Sequence, residues 1–501
     1  MTIFFNGHAF KYEIEGVCKL FLPLLRFDFQ YDALPLEECR PQGDYLYTLR
    51  REGAPLSVRL SLQGRCSRME AELPPAGPDF ETECERRLCV LIYRLLSQAL
   101  GIRPGWGILT GVRPVALVQR ERKAGRTQEE ILRRFQEQYL VSEEKLRLAL
   151  HTADVQSGLL ADFPERSYSL YVSIPFCASR CSYCSFVSHA ITARSATDKI
   201  DEYLDKLRQE LAYTARLAER LGLRLDTIYI GGGTPTALTA GQLRQVTDAV
   251  GQHFPAGQAR EYTIEAGRAD TITPEKLQVI WEAGADRISV NPQTFNDEVL
   301  RRIGRRHTAQ QAVEAYRLAR EAGFPAINMD FIAGLPGDTP ESFRETIDQA
   351  IRLAPENITV HTLSIKRSAD LFSEEGIQEY VRTASTGEMT EYARSRLMEA
   401  GYRPYYLYRQ KNSVGNLENV GYSLPGRESL YNVYIMDEIQ TILACGAGGS
   451  TKLVGVEQDG RLPIQRIFNY KYHFEYIDHF DEVLRRKDQA ASFLQTASPG
   501  R

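Results

Sequence analysis

Tyr171-Val172-Ser173-Ile174-Pro175-Phe176-Cys177-Ala178-Ser179-Arg180-Cys181-Ser182-Tyr183-Cys184 is the stretch on which the reading of this chain turns. It opens as an apolar, β-branched strand and ends in three thiols at C-x3-C-x2-C spacing. Of the nine cysteines, Cys18, Cys39, Cys66, Cys84, Cys89 and Cys445 form no ligand-like group, and each reads as a small core hydrophobe. Cys177, Cys181 and Cys184 are the candidate metal ligands. A 4Fe–4S cubane held by three cysteines keeps an open position on its fourth iron, where a small molecule can bind. A structural zinc ion asks instead for four ligands, usually in two pairs. His189 is the nearby candidate for a fourth, but the spacing suits a cluster loop better.

Outward from this loop, strands alternate with helices. Strand patterns lie at 168–174, 225–230, 261–265, 287–291, 327–332 and 358–365. Between them, Ile200, Tyr203, Leu204, Leu207 and Leu211 share one helical face. Thr239 with Gln242 makes a capping box, and further helices begin near Pro274, Thr308 and Pro340. Thr273 and Thr339 before the two prolines suit an N-cap followed by Pro at the first helical position. Six βα units in a row predict an α/β fold with parallel strands and right-handed crossovers. Strands this apolar are covered on both faces, as in a partial (β/α)6 barrel.

The flanks read differently. Residues 1–85 carry strand patterns at 10–14, 45–49 and 56–62, and are expected to form a small α+β domain. Residues 86–160 read as a helical connector, with helices at 129–138 and 143–150. The barrel is expected over 165–370. A mixed C-terminal, substrate-side region over 371–501 has a helix at 389–400, a strand at 405–408, a Gly-rich loop at 446–449 and a helix at 476–486.

Polar residues recur at the C-terminal ends of the barrel strands, the end at which such barrels carry out chemistry. The second strand runs into Gly231-Gly232-Gly233-Thr234-Pro235-Thr236, whose glycines let the backbone approach a ligand closely. No Lys-Ser/Thr follows, so this is not a Walker phosphate loop. Glu265 ends the third strand, where an unpaired carboxylate would be costly. Gln293 follows the fourth, Arg305 comes twelve residues later, and Asp330 lies in the fifth. His361, in the sixth, faces either the mouth or the wall.

The formal net charge of −4 points away from a nucleic-acid partner. No apolar run approaches the ~18 residues of a membrane span. The first residues lack a basic segment leading into an apolar one. A cytoplasmic monomer is expected.

The cysteine motif resembles the radical S-adenosylmethionine superfamily. The longer string Tyr171-Val172-Ser173-Ile174-Pro175-Phe176-Cys177 resembles the oxygen-independent coproporphyrinogen III dehydrogenase family, over roughly residues 165–455. Tyr406-Leu407-Tyr408-Arg409-Gln410-Lys411-Asn412 and Gly415-Asn416-Leu417-Glu418-Asn419-Val420-Gly421-Tyr422 are similar to its HemZ branch. The resemblance implies a 4Fe–4S cluster on Cys177, Cys181 and Cys184, with S-adenosyl-L-methionine as cofactor. It implies cofactor contacts from Tyr171, Tyr183, Gly232, Gly233, Thr234, Glu265, Gln293, Arg305, Asp330 and Ser364, and catalytic roles for Tyr171 and Arg305. It further implies a tetrapyrrole substrate, an electron donor such as flavodoxin or ferredoxin, and conversion of propionates to vinyl groups in heme biosynthesis. Arg305, Lys366, Arg367, Arg409 and Lys411 are candidate partners for the propionates. Heme carriage without oxidation, or radical chemistry on another tetrapyrrole, are the alternative readings.

Overall fold

Ser167–Ile174 is buried along nearly its whole length on both faces, the environment of a central parallel strand. The computed structural model in which it lies describes residues 1–23, 25–31, 43–111, 113–186, 188–191, 199–364, 385–410, 413–456 and 463–496. Contacts divide the chain into two compact units. One comprises Met1–Ala153 with Tyr408–Glu418, and the other Asp154–Leu407 with Asn419–Arg501.

The first unit is built on a five-stranded sheet of β1 (Thr2–Asn6), β2 (Asp28–Tyr31), β3 (Tyr45–Leu49), β4 (Leu56–Leu62) and β5 (Arg65–Ala71), in the order β2-β1-β3-β4-β5. The helix Phe80–Leu100 buries Cys84, Leu88, Cys89, Ile92, Leu95 and Leu96. The strand expected at 10–14 is instead the start of a helix, Lys11–Phe21. The alternation of Phe10, Tyr12 and Ile14 is local. The longer set Ile14, Val17, Cys18 and Phe21 recurs at helical spacing and is what the sheet covers. Glu418 is buried in this unit. It accepts from Lys145 Nζ at 2.5 Å and Trp106 Nε1 at 2.8 Å.

In the second unit β6 (Ser167–Ile174), β9 (Arg224–Gly232), β10 (Glu261–Gly267), β11 (Arg287–Val290), β12 (Ala326–Ala333) and β13 (Asn357–Thr362) are the expected strands. Each pairs in parallel with the next. Two short strands, β7 (Phe176–Cys177) and β8 (His189–Ala190), pair beside the cysteine loop. The intervening helices start at the expected caps: Thr239 and Thr308 form full capping boxes, and Thr273 and Thr339 cap helices with Pro at the first position. The last quarter of the chain extends the same sheet at both edges. Beside β13 lie β15 (Glu418–Ser423) and then β14 (Arg403–Arg409). Beside β6 lie β16 (Thr441–Cys445), β17 (Ser450–Val454) and β18 (Ile464–Phe468). The helix expected at 476–486 is divided into His473–Asp478 and Phe480–Thr496. Among the described residues no helix is long and apolar enough to cross a membrane.

A buried polar knot ties these C-terminal elements to the first strand. Glu210 accepts from Gly446 N at 2.6 Å, Asn469 Nδ2 at 2.8 Å and Tyr476 Oη at 2.6 Å, and pairs with Lys487 Nζ at 3.0 Å. Tyr203 Oη donates to Ser173 O at 2.7 Å, beside the strand end that launches the cysteine loop. The 446–449 loop is thereby seated against β6.

Candidate cluster and cofactor site

Parallel strands deliver their C-terminal ends to one rim, and the cysteine loop leaves β6 there. It is fastened on three sides. Gly233 N donates to Ile174 O at 2.8 Å and Thr234 N to Phe176 O at 2.7 Å, so the glycine loop after β9 is laced to the strand entering Cys177. A Cβ on Gly233 would lie 2.6 Å from Phe176 O and 3.0 Å from Cys177 Sγ; only glycine permits that approach. Thr234 Oγ1 donates to Cys177 Sγ at 3.5 Å. Ser182 N donates to Ile303 O at 3.1 Å on the second side. On the third, Arg305 Nη2 donates to Tyr183 Oη at 2.9 Å and Nη1 to Asn291 O at 3.3 Å.

The thiols suit a cluster. Burial pushes Cys184 up to about 11, and the charges of Cys181 and Cys177 push the same way, against the Phe186 backbone and Arg305. Cys184 therefore resists ionisation alone, whereas a cationic metal group would take it as a thiolate. Among the described residues no three Cys, His, Asp or Glu side chains converge on one ion. A cubane taking one thiolate at each of three corners asks for no such convergence.

Across the rim, Glu265 at the end of β10 is pushed up to about 8 by burial first and by Asp330 second, with Arg305 opposing. Asn291 Nδ2 approaches its Oε1 at 3.4 Å. Burial alone would raise Asp330 too, but His361, Asn328 and Thr359 outweigh it and hold it below its usual value. Asn328 Nδ2 donates to Asp330 Oδ1 at 2.8 Å, and His361 Nε2 lies 3.9 Å from Oδ2, so His361 faces the same side as Asp330. The two carboxyls thus have opposite tendencies: burial favours the proton on Glu265, while its partners favour the ionised form of Asp330. Gln293 is held in the left-handed region at φ +73° by Gln293 N to Asp330 O and Ile332 N to Gln293 O bonds. Such a backbone costs a side-chain-bearing residue about 1–2 kcal/mol, and strain of this kind gathers at functional sites.

The geometry brings Tyr171, Glu265 and Asp330 into one neighbourhood: burial raises Tyr171, and the Glu265 charge raises it further. Tyr183 and Arg305 form a second group against the cysteine loop. Gly232, at φ +110°, lies against Ser173 and Ile174, and Ser364 sits two residues past β13. Of the candidate propionate partners, Arg305 is engaged as above. Arg409 donates to the carbonyls of Leu109, Gly111 and Asn416 over the Trp106 ring, all within the first unit. Lys366, Arg367 and Lys411 lie outside the described residues.

Sequence reasoning missed three residues. Tyr229 and Tyr431 stack at 4.6 Å between ring centroids, with Tyr171 6.2 and 6.3 Å from them. Tyr229 precedes the three glycines at strand spacing and so carried a signal; Tyr431 did not. Arg268, just past β10, is the third. It grips Asp270 through Nε and Nη2, both at 3.0 Å. Burial would raise Asp270, but His307 and Arg268 hold it well below the carboxylate range.

Comparison with known proteins shows the family. Residues 171–350 match the Radical SAM superfamily. The oxygen-independent coproporphyrinogen-III oxidase-like protein HemZ of Bacillus subtilis (strain 168) is 38% identical over 81% of this chain and 82% of its own. The heme chaperone HemW of the same strain is 32% identical over 58% of this chain and 73% of its own. The solved coproporphyrinogen III oxidase HemN of Escherichia coli aligns over 66% of this chain and 73% of its own, at 26% identity and a TM-score of 0.46. A 4Fe–4S cluster and S-adenosylmethionine are what the superfamily implies. The chain belongs to the HemZ-like family of oxygen-independent coproporphyrinogen III oxidase relatives, within the radical SAM superfamily.

Proposed function

We propose that the protein oxidatively decarboxylates two propionate side chains of coproporphyrinogen III, giving protoporphyrinogen IX. The observation that carries the substrate is the 38% identity, over four fifths of both chains, to the coproporphyrinogen oxidase-like HemZ. When bound, the cluster and S-adenosylmethionine supply a 5′-deoxyadenosyl radical that takes a hydrogen atom from carbon. A propionate that has lost its β-hydrogen then loses carbon dioxide and one electron to an acceptor, leaving a vinyl group.

The chain's own residues have separable tasks in this reading. Cys177, Cys181 and Cys184 hold the cluster. Gly232, Gly233 and Thr234 fix the cysteine strand and leave room for the cofactor beside it. Glu265, neutral near pH 7, ionises when a cationic ligand group arrives, while Asp330 is already ionised; Gln293 and Ser364 complete the cofactor contacts. Arg305 orients Tyr183 against the loop. Tyr171, with Tyr229 and Tyr431, forms an aromatic wall that excludes water from the radical's surroundings. A small redox protein such as flavodoxin or ferredoxin is the proposed electron donor.

The test is an anaerobic incubation of reconstituted protein with coproporphyrinogen III, S-adenosylmethionine and a strong reductant. Chromatography follows 5′-deoxyadenosine and the stepwise loss of two carboxyls. Matched formation of both products, abolished by Cys181→Ala, is expected. Cofactor cleavage with intact substrate would sink the substrate assignment. The identity to HemW favours a second reading, heme carriage; stoichiometric heme uptake without vinyl formation would establish it.

A further inference from the structure

Arg268 reaches back from the end of β10 to the underside of the cysteine loop and is 3% exposed. Its two bonds to Asp270, each 3.0 Å, fix the plane of the guanidinium in a fork-to-fork pairing. With that plane fixed, Nη1 has one direction to point. It donates to Ser179 O at 3.1 Å and lies 3.7 Å from Cys181 Sγ, within hydrogen-bond reach of a sulfur. His307 Nδ1 lies 3.7 Å from Asp270 Oδ1. Cys181 is 8% exposed. A cation therefore sits against a sheltered sulfur, where little water screens it.

We propose that Arg268 is a positioning residue that raises the reduction potential of the cluster held by Cys177, Cys181 and Cys184, through its N–H···S contact to Cys181. The inference rests on the cluster reading above. An electron entering a cluster increases the negative charge on its sulfurs. A fixed cationic donor at one of them stabilises the reduced state more than the oxidised one, and hydrogen bonds to sulfur are a recognised determinant of such potentials. Arg268 thereby lets a weaker one-electron donor load the site. Lysine in its place keeps a positive charge but loses the planar fork, so it cannot hold Asp270, Ser179 O and Cys181 Sγ at once.

The full-length chain, with Arg268→Lys and Arg268→Gln, would be reconstituted anaerobically and assayed for iron and sulfide. Each would then be titrated potentiometrically, with the reduced cluster read by electron paramagnetic resonance and no substrate present. At the potential that half-reduces the native cluster, Arg268→Gln should show a roughly tenfold lower ratio of reduced to oxidised cluster, equivalent to about 59 mV for one electron. Arg268→Lys should fall between the two, and it carries the test alone should the glutamine variant fail to fold. Full cluster content with unchanged ratios overturns the inference. So does loss of the cluster in Arg268→Lys, which would make the residue a brace for assembly rather than a tuner. A native protein that takes up no cubane would instead sink the cluster reading itself, and iron analysis separates that failure from the other two.

Discussion

Replacing Glu265 by glutamine should stabilise the protein while damaging its function, and the amount is set by pH. The carboxyl has a pKa of about 8 in the folded chain against an ordinary value of 4.5. Unfolding therefore releases its proton at any pH between those values, and stability contributed by the neutral carboxyl is lost as pH rises from 4.5 towards 8. At 1.36 kcal/mol for each unit, the loss is roughly 1 kcal/mol at pH 5.5 and roughly 3 kcal/mol at pH 7. It levels off above pH 8, where the folded carboxyl is ionised as well. Glutamine has nearly the same shape and no proton to release, so Glu265→Gln avoids this loss.

Thermal unfolding of cluster-free protein measures the difference directly. At about 2 °C per kcal/mol for a unit of this size, Glu265→Gln should melt several degrees above the native chain at pH 7. The gap should shrink by more than half at pH 5.5. A glutamine variant that melts lower than the native protein at pH 7, or a gap independent of pH, would refute the reasoning. It would mean that Glu265 is ionised and held by partners, a structural ion rather than a carboxyl kept neutral for an arriving ligand.

Gly233→Ala places a Cβ 2.6 Å from Phe176 O and 3.0 Å from Cys177 Sγ, so the cysteine strand must shift; iron and sulfide analysis should find cluster uptake largely lost while far-ultraviolet circular dichroism is unchanged. Glu418→Ala leaves the Lys145 ammonium buried without its carboxylate; the loss should be roughly 3–5 kcal/mol, read in urea unfolding of the first unit's transition. Lys487→Met removes the charge facing Glu210. A loss of roughly 3–5 kcal/mol is again expected, and proteolysis should release the segment after Asn469 before the rest of the second unit.

The legible part of this chain was whatever is decided within a few residues. The six parallel strands were readable because burial on both faces selects continuous apolar, β-branched runs. The helix starts were readable because a cap and its partner stand three residues apart, as Thr239 with Gln242 does. The segment at 10–14 misled for the same reason in reverse: five residues alternate, and only the longer period through Phe21 reveals a helix. The strand β16 pairs with β6 from 273 residues away, and nothing local in Thr441–Cys445 announces that partner.

The site divides along the same line. Glycines, cysteines and strand-end carboxyls are rare enough at their positions to stand out, and their chemistry limits what they do. Arg268 is one of 61 basic residues, and its importance comes from Asp270, Ser179 and Cys181 meeting it in space. Tyr431 likewise gains meaning only when β6 and β9 bring Tyr171 and Tyr229 beside it. The groups that would hold a cluster are therefore written in spacing, while those that would set its potential and keep it dry are written in packing. That division predicts where relatives diverge without losing the cluster: at residues such as Arg268 and Tyr431, which adjust the site's energetics, ahead of the cysteines and Gly233, whose chemistry or lack of a side chain has no substitute.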